Sequence, residues 1–163
     1  MKSHVSCDEH MTRSTDSSLR PATWDTHVTG AATGEIIGHL DLFWTNVIFR
    51  NGLPHALIDW ELAAPTTRVL EVALAATYWA GIRTDDTLLE WGVPLARRGE
   101  RLRLLCDEYG LSASDRASLL RQLLAQREAR LARGDWRVTS RETVLANYRW
   151  LVEHRRELAR FLV

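Results

Sequence analysis

Apolar residues recur at helical spacing through most of the chain. Val69, Val72, Ala73, Ala76 and Trp79 share one face of a predicted helix that runs to about Ala80. Thr67 is placed to cap it and Gly81 to end it. Leu102, Leu105, Cys106 and Tyr109 mark a second helix over Glu100 to Tyr109, with Gly110 as its stop. A third opens at Ser112 to Asp115 with a capping-box variant, carries Leu119, Leu120, Leu123, Leu124 and Leu131, and ends at Gly134. A fourth starts at Thr139 to Glu142 and carries Val144, Tyr148, Leu151, Val152, Leu158 and Leu162. Between the first two, Leu88, Leu89 and Trp91 form a further short turn of helix in the less regular stretch 82 to 96. Trp79 and Trp91 could line a pocket, but aromatics at helical spacing more often read as core. Arg127, Glu128, Arg130 and Arg133, like His154 to Glu157, read as solvated helix faces.

Ahead of the helices the period changes. Glu35-Ile36-Ile37 reads as a short strand and Ala63 to Thr67 as a loop. Val47-Ile48-Phe49 and Ala56-Leu57-Ile58 flank Asn51-Gly52, a pair that favours a two-residue type I′ hairpin turn. That turn pairs Arg50 with Leu53, Ile48 with His55 and Asn46 with Leu57. Asp59 then falls at the open end of the hairpin, where the loop carrying Asp41 also enters. Three polar side chains, Asp41, Asn46 and Asp59, are thereby brought to one place. Such hard oxygen groups suit Mg²⁺ and phosphoryl transfer, in which one Asp handles a hydroxyl proton and an Asn and a second Asp hold the metal. A solvated hairpin end is the plainer alternative. The fold expected is α+β and mostly helical, a small β-hairpin layer packed on four or more helices.

His39-Leu40-Asp41-Leu42-Phe43-Trp44-Thr45-Asn46, followed by Leu57-Ile58-Asp59-Trp60-Glu61, resembles the aminoglycoside phosphotransferase and choline-kinase-like family. The resemblance implies the C-terminal lobe of a protein-kinase-like fold over residues 21–163, with the catalytic loop and hairpin at 35–60 and a helical subdomain at 68–163. It implies Asp41 as catalytic base, Asn46 and Asp59 as metal and cofactor ligands, and His39 as a brace for the loop. Mg²⁺ and ATP are the implied cofactors, and the hydroxyl of a small molecule, an aminoglycoside or another metabolite, is the implied acceptor. The chain departs from that family at Leu40, where Gly or Asn is usual, at Trp44, often Pro, and at Glu71, usually Asp. Family members also carry a nucleotide-covering N-terminal lobe, whereas 38 residues precede His39 here. The chain is therefore expected to be a truncated, weakly active phosphotransferase, with an inactive lobe remnant or interaction module, or one half of a split enzyme, as alternatives. An apolar face left where the missing lobe docks would drive self-association or binding of a separate N-lobe chain.

Composition narrows the partners. Lys and Arg number 21, against 21 Asp and Glu, which argues for neither a nucleic acid nor an anionic membrane. No run approaches the roughly 20 apolar residues of a membrane span, and residues 1 to 18 lack the apolar stretch of a signal peptide. Cys7 and Cys106 have no metal-type spacing, and a reducing, cytoplasmic compartment is expected. Residues 1–20 read as a disordered polar tail, in which His4, Cys7, Asp8 and His10 match no common zinc pattern. Residues 21 to 34 read as a connector.

Overall fold

The computed structural model describes Trp24, residues 34–134, Trp136 and residues 139–163. The polar tail, with His4, Cys7, Asp8 and His10, and most of the connector lie outside the described residues. What is described is α+β and mostly helical, with two small antiparallel sheets.

β1 (Ile36–Gly38) pairs with β4 (Ala64–Thr66), Ile36 opposite Thr66 and Gly38 opposite Ala64. The segment around Pro65, expected as a loop, is thus a strand. A two-stranded sheet tolerates Pro65 because a residue without an N–H needs only an open edge. β2 (Val47–Arg50) and β3 (Leu53–Leu57) form the predicted hairpin, with Asn51 at φ 53° and Gly52 at φ 76°, as a type I′ turn requires. Arg50 faces Leu53 as expected, but a bulge intervenes between Ile48 and Phe49. Phe49 faces Pro54, Ile48 faces Ala56 and Val47 faces Leu57. The extra residue moves Asn46 opposite Ile58, whose N–H it accepts at 3.0 Å, one step nearer Asp59 than the regular register places it.

The helices follow the apolar periodicity. α1 (Arg68–Trp79) is capped by Thr67, whose hydroxyl accepts the Leu70 N–H at 3.1 Å. α2 (Asp85–Glu90) is the short turn around Leu88, and α3 (Arg98–Tyr109) ends on Gly110 at φ 75°. α4 (Ala113–Arg133) starts at Ser112, which accepts the Asp115 N–H and donates its hydroxyl to the Asp115 carboxylate. α5 (Arg141–Ala159) is capped by Ser140, one residue later than Thr139. α1 packs on α3 and α4, α4 on α5, and α3 on α5. Between them Val72, Ala76, Leu102, Cys106, Leu119, Leu123 and Leu151 are fully buried.

The hairpin is not the packed layer that was expected. β3 is exposed along its whole length, and of β2 only Val47 is buried. Among the described residues no helix is long and apolar enough to cross a membrane.

Candidate functional site

The loop after β1 is held from below by α1. Glu71, in the first turn of α1, is buried; its carboxylate accepts the N–H of His39 at 2.9 Å and of Leu40 at 3.2 Å. Gly38 has to be glycine here, because a Cβ would run into the side chains of Thr66 and Glu71. Leu40 turns the chain at φ 64°, a conformation that costs an L-residue about 1–2 kcal/mol. Burying its side chain returns about 1.5–3 kcal/mol, so the Leu is tolerated where Gly or Asn is easier. His39 is buried against the Trp60 ring and donates from Nε2 to the Ile58 carbonyl at 2.9 Å. That leaves Nδ1 to accept the Asp41 N–H, at 3.4 Å. His39 therefore ties the loop to the end of the hairpin.

Two of the three candidate residues are joined. Asn46 ends a single 3₁₀ turn (Trp44–Asn46), and its amide donates to the Asp41 carboxylate at 3.1 Å and to the Asp41 carbonyl at 3.0 Å. The other Asp41 oxygen accepts the Tyr78 hydroxyl at 3.2 Å. Asp59 follows Ile58 at the same end of the hairpin, at φ 62°, with its side chain exposed. The pattern of an Asp, an Asn and a further Asp is thus, in space, a hydrogen-bonded pair with an exposed carboxylate at the same end of the hairpin. Among the described residues no three His, Cys, Asp or Glu side chains converge as metal ligands.

Around Asp41 lies an aromatic and cationic wall that the sequence reading did not identify. The Arg83 guanidinium stacks 4.6 Å from the centre of the Trp91 ring and 5.0 Å from that of Tyr78. Phe43 and Trp44 complete the group, each about 5 Å edge-on to Trp91. Burial, and beyond it the Asp41 charge and hydrogen bond, push the Tyr78 hydroxyl up to about 12 against the lowering effect of Arg83. Burial likewise lowers Arg83 from the ordinary guanidinium value. Trp91 and Trp79 are therefore not core. Trp91 is part of this wall, and Trp79 is partly exposed, its Nε1 donating to the Leu42 carbonyl at 2.7 Å.

Arg127, expected on a solvated face, is buried. It donates to the carbonyls of Asn147 at 2.9 Å and Ile82 at 3.0 Å. Burial, then the neighbouring Arg83 charge, pull it down to about 9, so it stays charged at neutral pH. A signal was present, since Arg127 lies four residues beyond Leu123 and seven beyond Leu120, on the apolar face of α4. Asp41, Tyr78, Arg83, Arg127, Gln126 and Asn147 surround a cavity of about 70 Å³.

The second surface feature is the hairpin. Ile48, Phe49, Leu53, Leu57, Ile58 and Trp60 are between 39 and 69 % exposed, and Phe49 approaches the exposed Trp79 with ring centres 6.4 Å apart. Scattered exposed apolar residues are ordinary; so many on one two-stranded ribbon mark a surface made to be covered.

The chain is 38% identical over 90 residues to the Trifolitoxin immunity protein of Rhizobium leguminosarum bv. trifolii. The chain is similar to an immunity protein. The match takes in 55% of this chain and 34% of that protein, so the chain spans about a third of the relative. No family model and no solved structure matches.

This overturns the resemblance to aminoglycoside phosphotransferases and choline kinases. The relative is an immunity protein, and neither the ATP-dependent phosphotransferase nor its alternatives, an inactive lobe remnant, an interaction module or half of a split enzyme, has support. The physical reason lies in the motif itself. An Asp and an Asn five residues apart across a tight turn bond to each other and close the loop, as Asp41 and Asn46 do. A pattern this short recurs by chance, so on its own it does not establish the family it resembles.

Proposed function

We propose that this chain is part of an immunity protein, which protects its cell by binding a toxin, and that the exposed hairpin is the recognition surface. The observation that carries the reading is the 38% identity with the Trifolitoxin immunity protein. The hairpin supports it physically. Its apolar side chains stand in water, and covering them releases about 25 cal/mol for each Å² removed from solvent. Among the described residues neither edge of the two-stranded sheet carries a further strand, which leaves backbone groups available to pair with an extended partner. The His39 loop, with Glu71 and the Asp41–Asn46 pair beneath it, holds the open end of the hairpin in place. In this role those polar residues position the surface.

The test is calorimetric titration of the purified chain with trifolitoxin, beside a Phe49→Asp variant. Saturable binding is expected for the wild type, weakened at least about tenfold, or 1.4 kcal/mol, in the variant. Phe49 is half exposed, so melting of the variant should stay close to that of the wild type. A parallel challenge expresses both chains in a trifolitoxin-sensitive strain. Absence of both binding and protection in the wild type would overturn the immunity reading. Equal binding by the variant would move the recognition surface away from the hairpin.

A further inference from the structure

We propose that the cavity beneath Asp41 and Tyr78 binds a small oxyanion, a carboxylate or phosphate group, held chiefly by the guanidinium groups of Arg83 and Arg127. A cavity of about 70 Å³ exceeds what a single water needs and admits a small group of a few non-hydrogen atoms. That fits a carboxylate with its attached carbon or a tetrahedral phosphate, and excludes a large ligand from entering whole.

Among the described lining residues Asp41 is the one carboxylate, and three guanidinium groups, Arg83, Arg127 and Arg130, line the same space. Arg130 can be left aside: Arg83 and Arg127 alone outnumber Asp41. Buried charge in excess of its counter-charge is costly, and an anion from solution would offset it. Asp41 is in any case engaged, with one oxygen on Tyr78 and the other on Asn46.

Arg83 Nε is buried without a hydrogen-bond partner, although its guanidinium plane is fixed by stacking on Tyr78 and Trp91. A pre-oriented guanidinium with a buried donor still unsatisfied is suited to carboxylate and phosphate oxygens. Arg127 is fixed by its two carbonyl contacts, and Thr77, Gln126, Thr139 and Asn147 add neutral polar groups to the wall.

The experiment titrates the purified chain with inorganic phosphate and, separately, with acetate, by calorimetry and thermal melting, against chloride at matched ionic strength. No toxin is present, so the outcome is independent of the immunity reading. Saturable binding of phosphate, acetate or both is expected, with the preference between them identifying the group the cavity takes. Arg83→Gln should weaken it by about tenfold or more, the loss of a charge-assisted donor. A wild-type response to both anions no different from chloride would overturn the proposal, whether or not the variant folds. Undiminished binding by a folded Arg83→Gln chain would overturn it equally.

Discussion

Tyr78 and Glu71 show how single side chains set the loop that carries Asp41. The Tyr78 hydroxyl holds its proton up to about 12, against an ordinary value of 10.0. Between those values the folded chain keeps a proton that the unfolded chain has lost, so stability should fall as pH rises through that window. Urea unfolding should therefore weaken more steeply from pH 10 to pH 12 in the wild type than in Tyr78→Phe. Phenolate absorbance should show a late-titrating group that the variant lacks. Glu71 is different in kind, because its partners are backbone. Glu71→Ala leaves the N–H groups of His39 and Leu40 buried without acceptors. At about 1–3 kcal/mol for each orphaned donor, the variant should lose about 2 kcal/mol or more in chemical denaturation. A loss under about 0.5 kcal/mol, the scale of an ordinary surface substitution, would show that the loop is held by something else.

Among the elements, the helix starts are the most local. Ser112 and Ser140 each accept a backbone N–H three residues on. Ser112→Ala and Ser140→Ala should each cost about 1 kcal/mol, read as a lowered melting midpoint with unchanged helix content at low temperature. The hairpin behaves differently because little of it is buried. Substitutions at Phe49 or Leu53 should move recognition far more than stability, the opposite of what the packed hairpin layer inferred from sequence would give. The turn chemistry was legible, since Asn51-Gly52 can take the positive φ angles a type I′ turn demands. The bulge was not, because nothing in the alternation of Ile48, Phe49 and Pro54 marks an extra residue on the opposite strand.

At the scale of the molecule, α3 meets the chain end that follows α5 at Gly99, where an added Cβ would overlap the Phe161 ring. Gly99→Ala gains about 1 kcal/mol of helix propensity but meets an overpacking cost of about 1–3 kcal/mol, and it should destabilise. Adding Phe161→Ala should relieve the overlap, so the two changes together should cost less than the sum of their separate effects. Additive costs would show that the two residues do not press on each other. The helical assembly also explains the error over Arg127. Its spacing from Leu120 and Leu123 puts it on the buried face of α4, but it was expected with Glu128, Arg130 and Arg133 on a solvated face. The geometry sides with periodicity, because the carbonyls of Ile82 and Asn147 supply the acceptors that make its burial affordable.

The sequence by itself determined the helices, their caps and stops, the hairpin and its turn, and the meeting of the His39 loop with the hairpin end. These depend on neighbours within a few residues, where backbone propensity and period act directly. It did not determine what the polar residues at that meeting point are for, and the short motif there pointed to a chemistry that the immunity-protein relative overturned. Only the tertiary structure decided that Asp41 is engaged by Tyr78 and Asn46, that Arg83 and Arg127 converge on one cavity, and that the hairpin stands uncovered. Each of those depends on side chains brought together from α1, α4 and loops far apart in the chain. Burial and pairing at such distances are properties of the packed whole, and no local pattern encodes them.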